Sequence, residues 1–221
     1  MQTQMALTAG ELKPVAFRRK GSRKVLRKDG FADAAAMIGK VEPGDEISGI
    51  TNGQFSLVDI LHHLLTETGP ADVVIATWTM GVYDAEKAYA FAGEKLIKSI
   101  RFIVDPSMFC RRPELASVLV KGFGPESFRA VNSHAKFMTV RGADLALCVR
   151  SSMNLNENKR LESFDISACD EMTAFYEGVA DEIWQKVNEG NRSQSHSVFE
   201  DLLLVESIKN PKRTNPFLAQ G

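Results

Sequence analysis

The chain has 221 residues, 44% of them hydrophobic and 25% charged, with 16 Gly and 8 Pro. That balance excludes collagen-like, coiled-coil and disordered chains and suits one globular domain with terminal extensions. The 27 basic and 28 acidic side chains nearly cancel, but residues 1–28 carry Lys13, Arg18, Arg19, Lys20, Arg23, Lys24, Arg27 and Lys28 against Glu11 alone.

An acidic body with a basic arm suggests a polyanion partner or an acidic patch on another subunit; a solvated tail is the alternative. No apolar run approaches the roughly 18 residues that cross a bilayer. The opening MQTQMALTAGELKP lacks the basic-then-apolar order of a secretory signal, so a cytoplasmic protein with no membrane partner is expected. Cys110, Cys148 and Cys169 are odd in number and widely spaced, which fits neither a disulfide framework nor a zinc site.

In chain order, a basic arm covers 1–29, an α/β domain 30–189 and a polar extension with a short helix 190–221. Gly30–Lys40 predicts a short helix and Glu46–Ile50 a strand. Phe55, Val58, Leu61, Leu64 and Leu65 recur at helical spacing, and Gly69-Pro70 ends that helix. The β-branched run Asp72–Thr79 is of strand length. Asp84–Ser99 predicts a helix with Ala88, Phe91, Ala92, Leu96 and Ile97 on one side. A strand over Ser99–Val104, a helix near Pro113–Lys121 and a short strand over Phe128–Val131 follow. Strands are then expected over Lys136–Val140, Leu145–Val149 and Phe164–Cys169. The last helix, Asp170–Asn188, shows a stripe of Met172, Phe175, Val179, Ile183 and Val187. Alternation of strands and helices predicts an α/β fold, a mixed sheet flanked by helices on both faces.

Of the four histidines, His62 and His63 sit in the second helix, one expected to face solvent and the other to border the core, and His196 lies in a polar linker. His134 stands apart. It precedes a strand in Ser133-His134-Ala135-Lys136-Phe137, and strand alternation would send His134 and Lys136 to one side. A returning strand leads into Arg150-Ser151-Ser152-Met153-Asn154, and Glu162 follows shortly after.

This ordered set resembles the phospholipase D superfamily, whose signature is H-x-K-x(4)-D followed by G-S-x-N and often a later Glu. His134, Lys136, Ser152, Asn154 and Glu162 fall on the matching positions. Gly53-Gln54-Phe55 and the Asp72–Thr79 strand also look like part of one half-unit of that family, and the resemblance spans roughly residues 45 to 188, about one α/β domain. Two positions depart from the pattern: Arg141 stands where the motif has Asp, and Ser151 where it has Gly. The second removes the freedom of close backbone approach that glycine allows.

The resemblance implies a metal-independent phosphodiesterase with no cofactor. Imidazole can attack phosphorus and later leave, so His134 would carry a phosphohistidine intermediate. Lys136, Asn154 and Ser152 would hold phosphate oxygens, and Glu162 would accept from an imidazole N–H. The mechanism needs two histidines on opposite sides of phosphorus, and this chain has one H-x-K. A homodimer with the site on its two-fold axis is therefore expected.

The short chain with its basic arm resembles the compact, single-motif, dimeric nucleases of that family, which implies a nuclease acting on DNA or RNA, with Arg18, Arg19, Lys20, Arg23, Lys24 and also Arg111 and Arg112, at the end of a strand-like stretch, as candidate nucleic-acid contacts. A non-catalytic nucleic-acid-binding or assembly protein of the same fold is the alternative, and a phosphatidyl-transferring lipase a third. Trp78 reads as a core residue, with stacking on a base as the lesser alternative.

Overall fold

In the computed structural model the described residues are 15–20, 24–29, 32–111, 113–156 and 159–190. They form β1 (Val15–Lys20), β2 (Lys24–Asp29), α1 (Ala34–Ile38), β3 (Glu46–Thr51), α2 (Leu57–Thr68), β4 (Ala71–Thr77), α3 (Val82–Gly93) and β5 (Ile97–Val104). These are followed by α4 (Pro106–Arg111), α5 (Pro113–Phe123), β6 (Phe128–Ala130), β7 (Phe137–Arg141), β8 (Ala146–Ser151), β9 (Glu162–Ser167) and α6 (Asp170–Gly190). All the strands among the described residues join one mixed sheet in the order β2-β1-β3-β9-β8-β7-β4-β5-β6. The β4–β5 and β5–β6 pairs are parallel, and β4–β7, β7–β8, β8–β9, β3–β9, β1–β3 and β1–β2 are antiparallel.

Strand β4 shows why the fold has two layers of helix. Its sequence ADVVIAT is apolar on both sides of the pleat, so neither face can be left to water. Val73 and Ile75 enter a large core with Leu57, Ile60, Leu61 and Leu64 of α2. Val74 and Ala76 point the other way, into a smaller core with Ala180, Tyr176 and Ile183 of α6. Helix α2 starts where the Asp59 carboxylate reaches back to accept the Ser56 N–H at 2.8 Å, satisfying a donor that the first turn leaves open. It ends at Gly69, whose φ of 67° suits glycine.

Four expectations are corrected. The third helix stops at Gly93 rather than running to Ser99: Lys95 turns with φ 59° and Ile97 pairs with Ala71 in the sheet, so strand pairing wins over the helical spacing of Leu96 and Ile97. The stretch before Arg111-Arg112 is helical, not strand-like: α4 opens with Pro106 at a favourable first position, and Asp105 accepts the Ser107 N–H at 2.9 Å. The face of α6 is rotated from the expected stripe. Ala180 is fully buried and Phe175 is 62% exposed, because the small Ala180 lets the helix approach the sheet and brings Tyr176 and Ile183 inward. The side chain of Val187 lies outside the described residues. Finally, the basic segment contributes the hairpin β1–β2 to the sheet, with Phe17 opposite Ser48 of β3.

Candidate active site

The antiparallel register gathers the starts of β7 and β9 and the ends of β3, β4 and β8 at one end of the sheet. Here the Lys136 carbonyl accepts the Ser151 N–H at 3.1 Å, and Ser152 N–H donates to the Ser163 carbonyl at 3.0 Å. Ser152 Oγ in turn accepts the Ser163 N–H at 2.9 Å. The segment beyond is pinned by its alternate apolar residues: Met153 and Leu155 are buried, Leu155 bridges to Met80, and its carbonyl accepts the Gly81 N–H at 2.6 Å. Ser152 and Asn154, in alternation with them, are left more exposed.

Four of the five motif residues form two contacting pairs at this end. Lys136 Nζ lies 3.2 Å from His134 Nδ1 and donates to the His134 carbonyl at 2.9 Å. The half-buried ammonium has its pKa pushed below the usual lysine value by burial, partly offset by the Glu162 carboxylate nearby. Glu162 accepts a hydrogen bond from Ser152 Oγ. Asn154 lies in the same loop, with its Oδ1 buried and without a protein partner, as is Asn156 Oδ1. His134 and Lys136 precede β7 rather than lying in it, so a folded-back lysine side chain, not strand alternation, brings them together. An ammonium can only donate, so Nδ1 accepts, and a neutral ring then carries its proton on Nε2.

Trp78, just past the end of β4, is half-buried and packs its ring on His134, with centroids 5.5 Å apart and planes at 49°. The sequence held one signal for it: binding residues gather beyond the carboxyl ends of parallel strands. His63 borders the core, its Nε2 at 2.8 Å from the Gly39 carbonyl, while the exposed His62 stacks on Phe91 at 4.7 Å.

The two departures from the motif have structural uses. Arg141 Nε donates to Glu177 at 3.0 and 2.9 Å, and its guanidinium reaches Asp170 at 2.5 Å, locking the turn end of β7 to α6 and holding the arginine pKa above its usual range. Ser151, where close backbone approach was expected to suffer, uses its hydroxyl instead: it donates to the Ser163 carbonyl and accepts the Met153 N–H, each at 2.9 Å.

Two clefts open elsewhere. One of about 490 Å³ lies among α1, α2 and α3, lined by Gln54, Asp59, His62, His63, Tyr83 and Lys87 among others. One of about 280 Å³ lies by the β7–β8 turn, beside Arg141, Asp144 and Asp170. Neither includes a motif residue. Among the described residues, no group of three or more His, Cys, Asp or Glu is placed to hold a metal ion. No helix among them is long and apolar enough to cross a membrane. Of the candidate nucleic-acid contacts, Arg23 and Arg112 lie outside the described residues. Arg18, Arg19, Lys20, Lys24 and Arg111 fall within β1, β2 and α4, with side chains outside the description.

No family model matches the chain, and no curated protein matches it in sequence. Among solved structures it is similar to Nuc, a phospholipase D family member from Salmonella typhimurium, with a TM-score of 0.48 and 12% identity over 63% of this chain and 93% of that one. It is also similar to TrmBL2, an archaeal chromatin protein with a novel mode of DNA binding, with a TM-score of 0.45 and 13% identity over 69% of this chain and 56% of that one.

Proposed function

We propose that the chain is a metal-independent phosphodiesterase of phospholipase D type, a nuclease acting on DNA or RNA as a homodimer. The observation that carries this reading is the gathering of His134 with Lys136, and of Ser152 with Glu162, at one open end of the sheet, where the Glu162 carboxylate acts electrostatically on the Lys136 ammonium. It joins an imidazole, a cation and a carboxylate next to loop polar groups, the parts that a phosphoryl transfer through histidine requires.

His134 Nε2 of one copy attacks phosphorus and forms a P–N bond. The P–O bond to the leaving sugar oxygen breaks, and that oxygen takes the proton of His134 of the second copy. Water then attacks phosphorus, gives its proton to that second imidazole, and the P–N bond breaks. Lys136 Nζ, Ser152 Oγ and Asn154 Nδ2 bind the non-bridging oxygens.

The general acid of the second copy is the imidazolium form of His134, which becomes neutral when its proton goes to the leaving oxygen, while in the attacking copy Nδ1 accepting from Lys136 leaves the proton of a neutral ring on Nε2. Attack needs the other tautomer. A phosphate that draws Lys136 to itself frees Nδ1 to carry the proton and donate to Glu162, which leaves Nε2 with its lone pair for phosphorus. The exposed position of His134 permits that turn of the ring.

The test is cleavage of labelled single- and double-stranded DNA and RNA in excess EDTA, with His134→Ala beside the wild type. Cleavage that vanishes in the variant supports the phosphohistidine reading. Absence of cleavage with unchanged, salt-sensitive binding by both proteins replaces it with the non-catalytic nucleic-acid-binding reading.

A further inference from the structure

We infer that Trp78 is a base-stacking platform beside the reacting phosphate, so that the substrate is a nucleic-acid strand whose bases are unpaired at the point of cleavage; this rests on the nuclease reading above. The indole packs on the ring of His134 at 5.5 Å, yet it is only half-buried, at the same end of the sheet where Lys136, Ser152 and Glu162 converge. A large aromatic ring kept partly in water loses burial free energy that a core position would give it. The other tryptophan, Trp184, is half-buried too, but its ring lies against the smaller core and is covered by the guanidinium groups of Arg101 and Arg129, at 5.5 and 4.6 Å, whereas Trp78 lies beside the motif histidine.

The position also suits the ligand. Phosphate bound at His134 and Lys136 brings the adjoining nucleotide within reach of the indole, and stacking on an aromatic face is available to any base that is not paired within a duplex. Stacking is tolerant of sequence, so the platform selects strandedness rather than a particular base.

The experiment uses the full chain with Trp184→Phe, which leaves Trp78 as the sole tryptophan of the two. Fluorescence is followed in EDTA on adding a single-stranded thymidylate oligonucleotide or an abasic oligonucleotide of equal length. The expected result is quenching by thymidylate and little by the abasic strand. Trp78→Ala should raise KM for the thymidylate strand about tenfold relative to the abasic one, and Trp78→Phe should recover most of that loss.

Equal quenching by both strands overturns the platform. So does a Trp78→Ala variant whose kcat falls while KM is unchanged, since the ring would then serve only to hold His134. The two readings separate cleanly. Base-dependent quenching without cleavage keeps the platform and removes the nuclease; cleavage without base dependence does the reverse.

Discussion

The β7–β8 hairpin is built differently at its two ends. At the turn, Gly142 N–H closes on the Leu145 carbonyl at 3.0 Å, and Arg141 is held by two acidic side chains of α6. A Cβ added at Gly142 would lie 2.6 Å from the Thr68 carbonyl oxygen, so the turn sits directly on the end of α2. At the opposite end, His134 is exposed and Lys136 spends its ammonium on His134 itself. One hairpin thus places its anchorage and its exposed polar groups at opposite ends of the same strands. Substitutions at the turn should therefore move stability and leave chemistry nearly intact, while those at the open end should do the opposite.

The largest effect is expected at the open end. His134→Ala should lower metal-free cleavage by about a thousandfold or more, the scale of losing a nucleophile or general acid. Its melting temperature should stay within a degree or two of wild type because the side chain is exposed. A melting temperature that falls along with activity would erase the distinction between the ends. At the turn, Arg141→Asp restores the acid of the family pattern but sets it against Asp170 and Glu177. It should cost about 2 kcal/mol in denaturant unfolding and bring no gain in cleavage. A variant more active than wild type would show that Arg141 had impaired the site.

Gly142→Ala should cost about 1–2 kcal/mol through its clash with backbone that a flexible side chain cannot relieve, again with kcat unchanged. The smallest effect concerns neither end. Asp59 is half-buried beside Lys87 at 2.7 Å. Burial raises its pKa, but the bonds from Lys87 and Ser56 outweigh this and hold it below the ordinary 3.8. A depressed acid contributes stability that is present above 3.8 and is lost as pH falls through its lower folded value. For so accessible a pair the loss is under about 1 kcal/mol, read as the difference between wild type and Asp59→Asn in unfolding below pH 4.

Much of this was legible where local pattern and tertiary packing agree. The ADVVIAT run of β4 and the leucines of α2 carry their burial in their spacing, and Lys136 and Ser152 of the quoted pattern lie on the same side of the molecule as Glu162. Legibility failed where packing chose between two local options. Helix α6 has apolar residues on two overlapping faces, and only the fit of Ala180 against the sheet decides that Phe175 points outward. VAFRRK and KVLRKD mix strand-forming residues with so much charge that their pairing is visible only once β3 offers an edge. The Trp78–His134 contact joins segments far apart in the chain, and no spacing rule links them.

The sheet's two margins have a consequence for how copies of this chain meet. Among the described residues the outermost strand on one side is β6, only three residues long, and on the other β2, whose sequence KVLRKD carries four charged residues in six. A stub and a charged ribbon are both poor templates for adding a strand from a neighbouring molecule. Extension of the sheet between molecules, with the fibrous association it invites, is disfavoured at both margins. Self-association is left to the strand ends and helix surfaces, where contact can close as a pair instead of propagating.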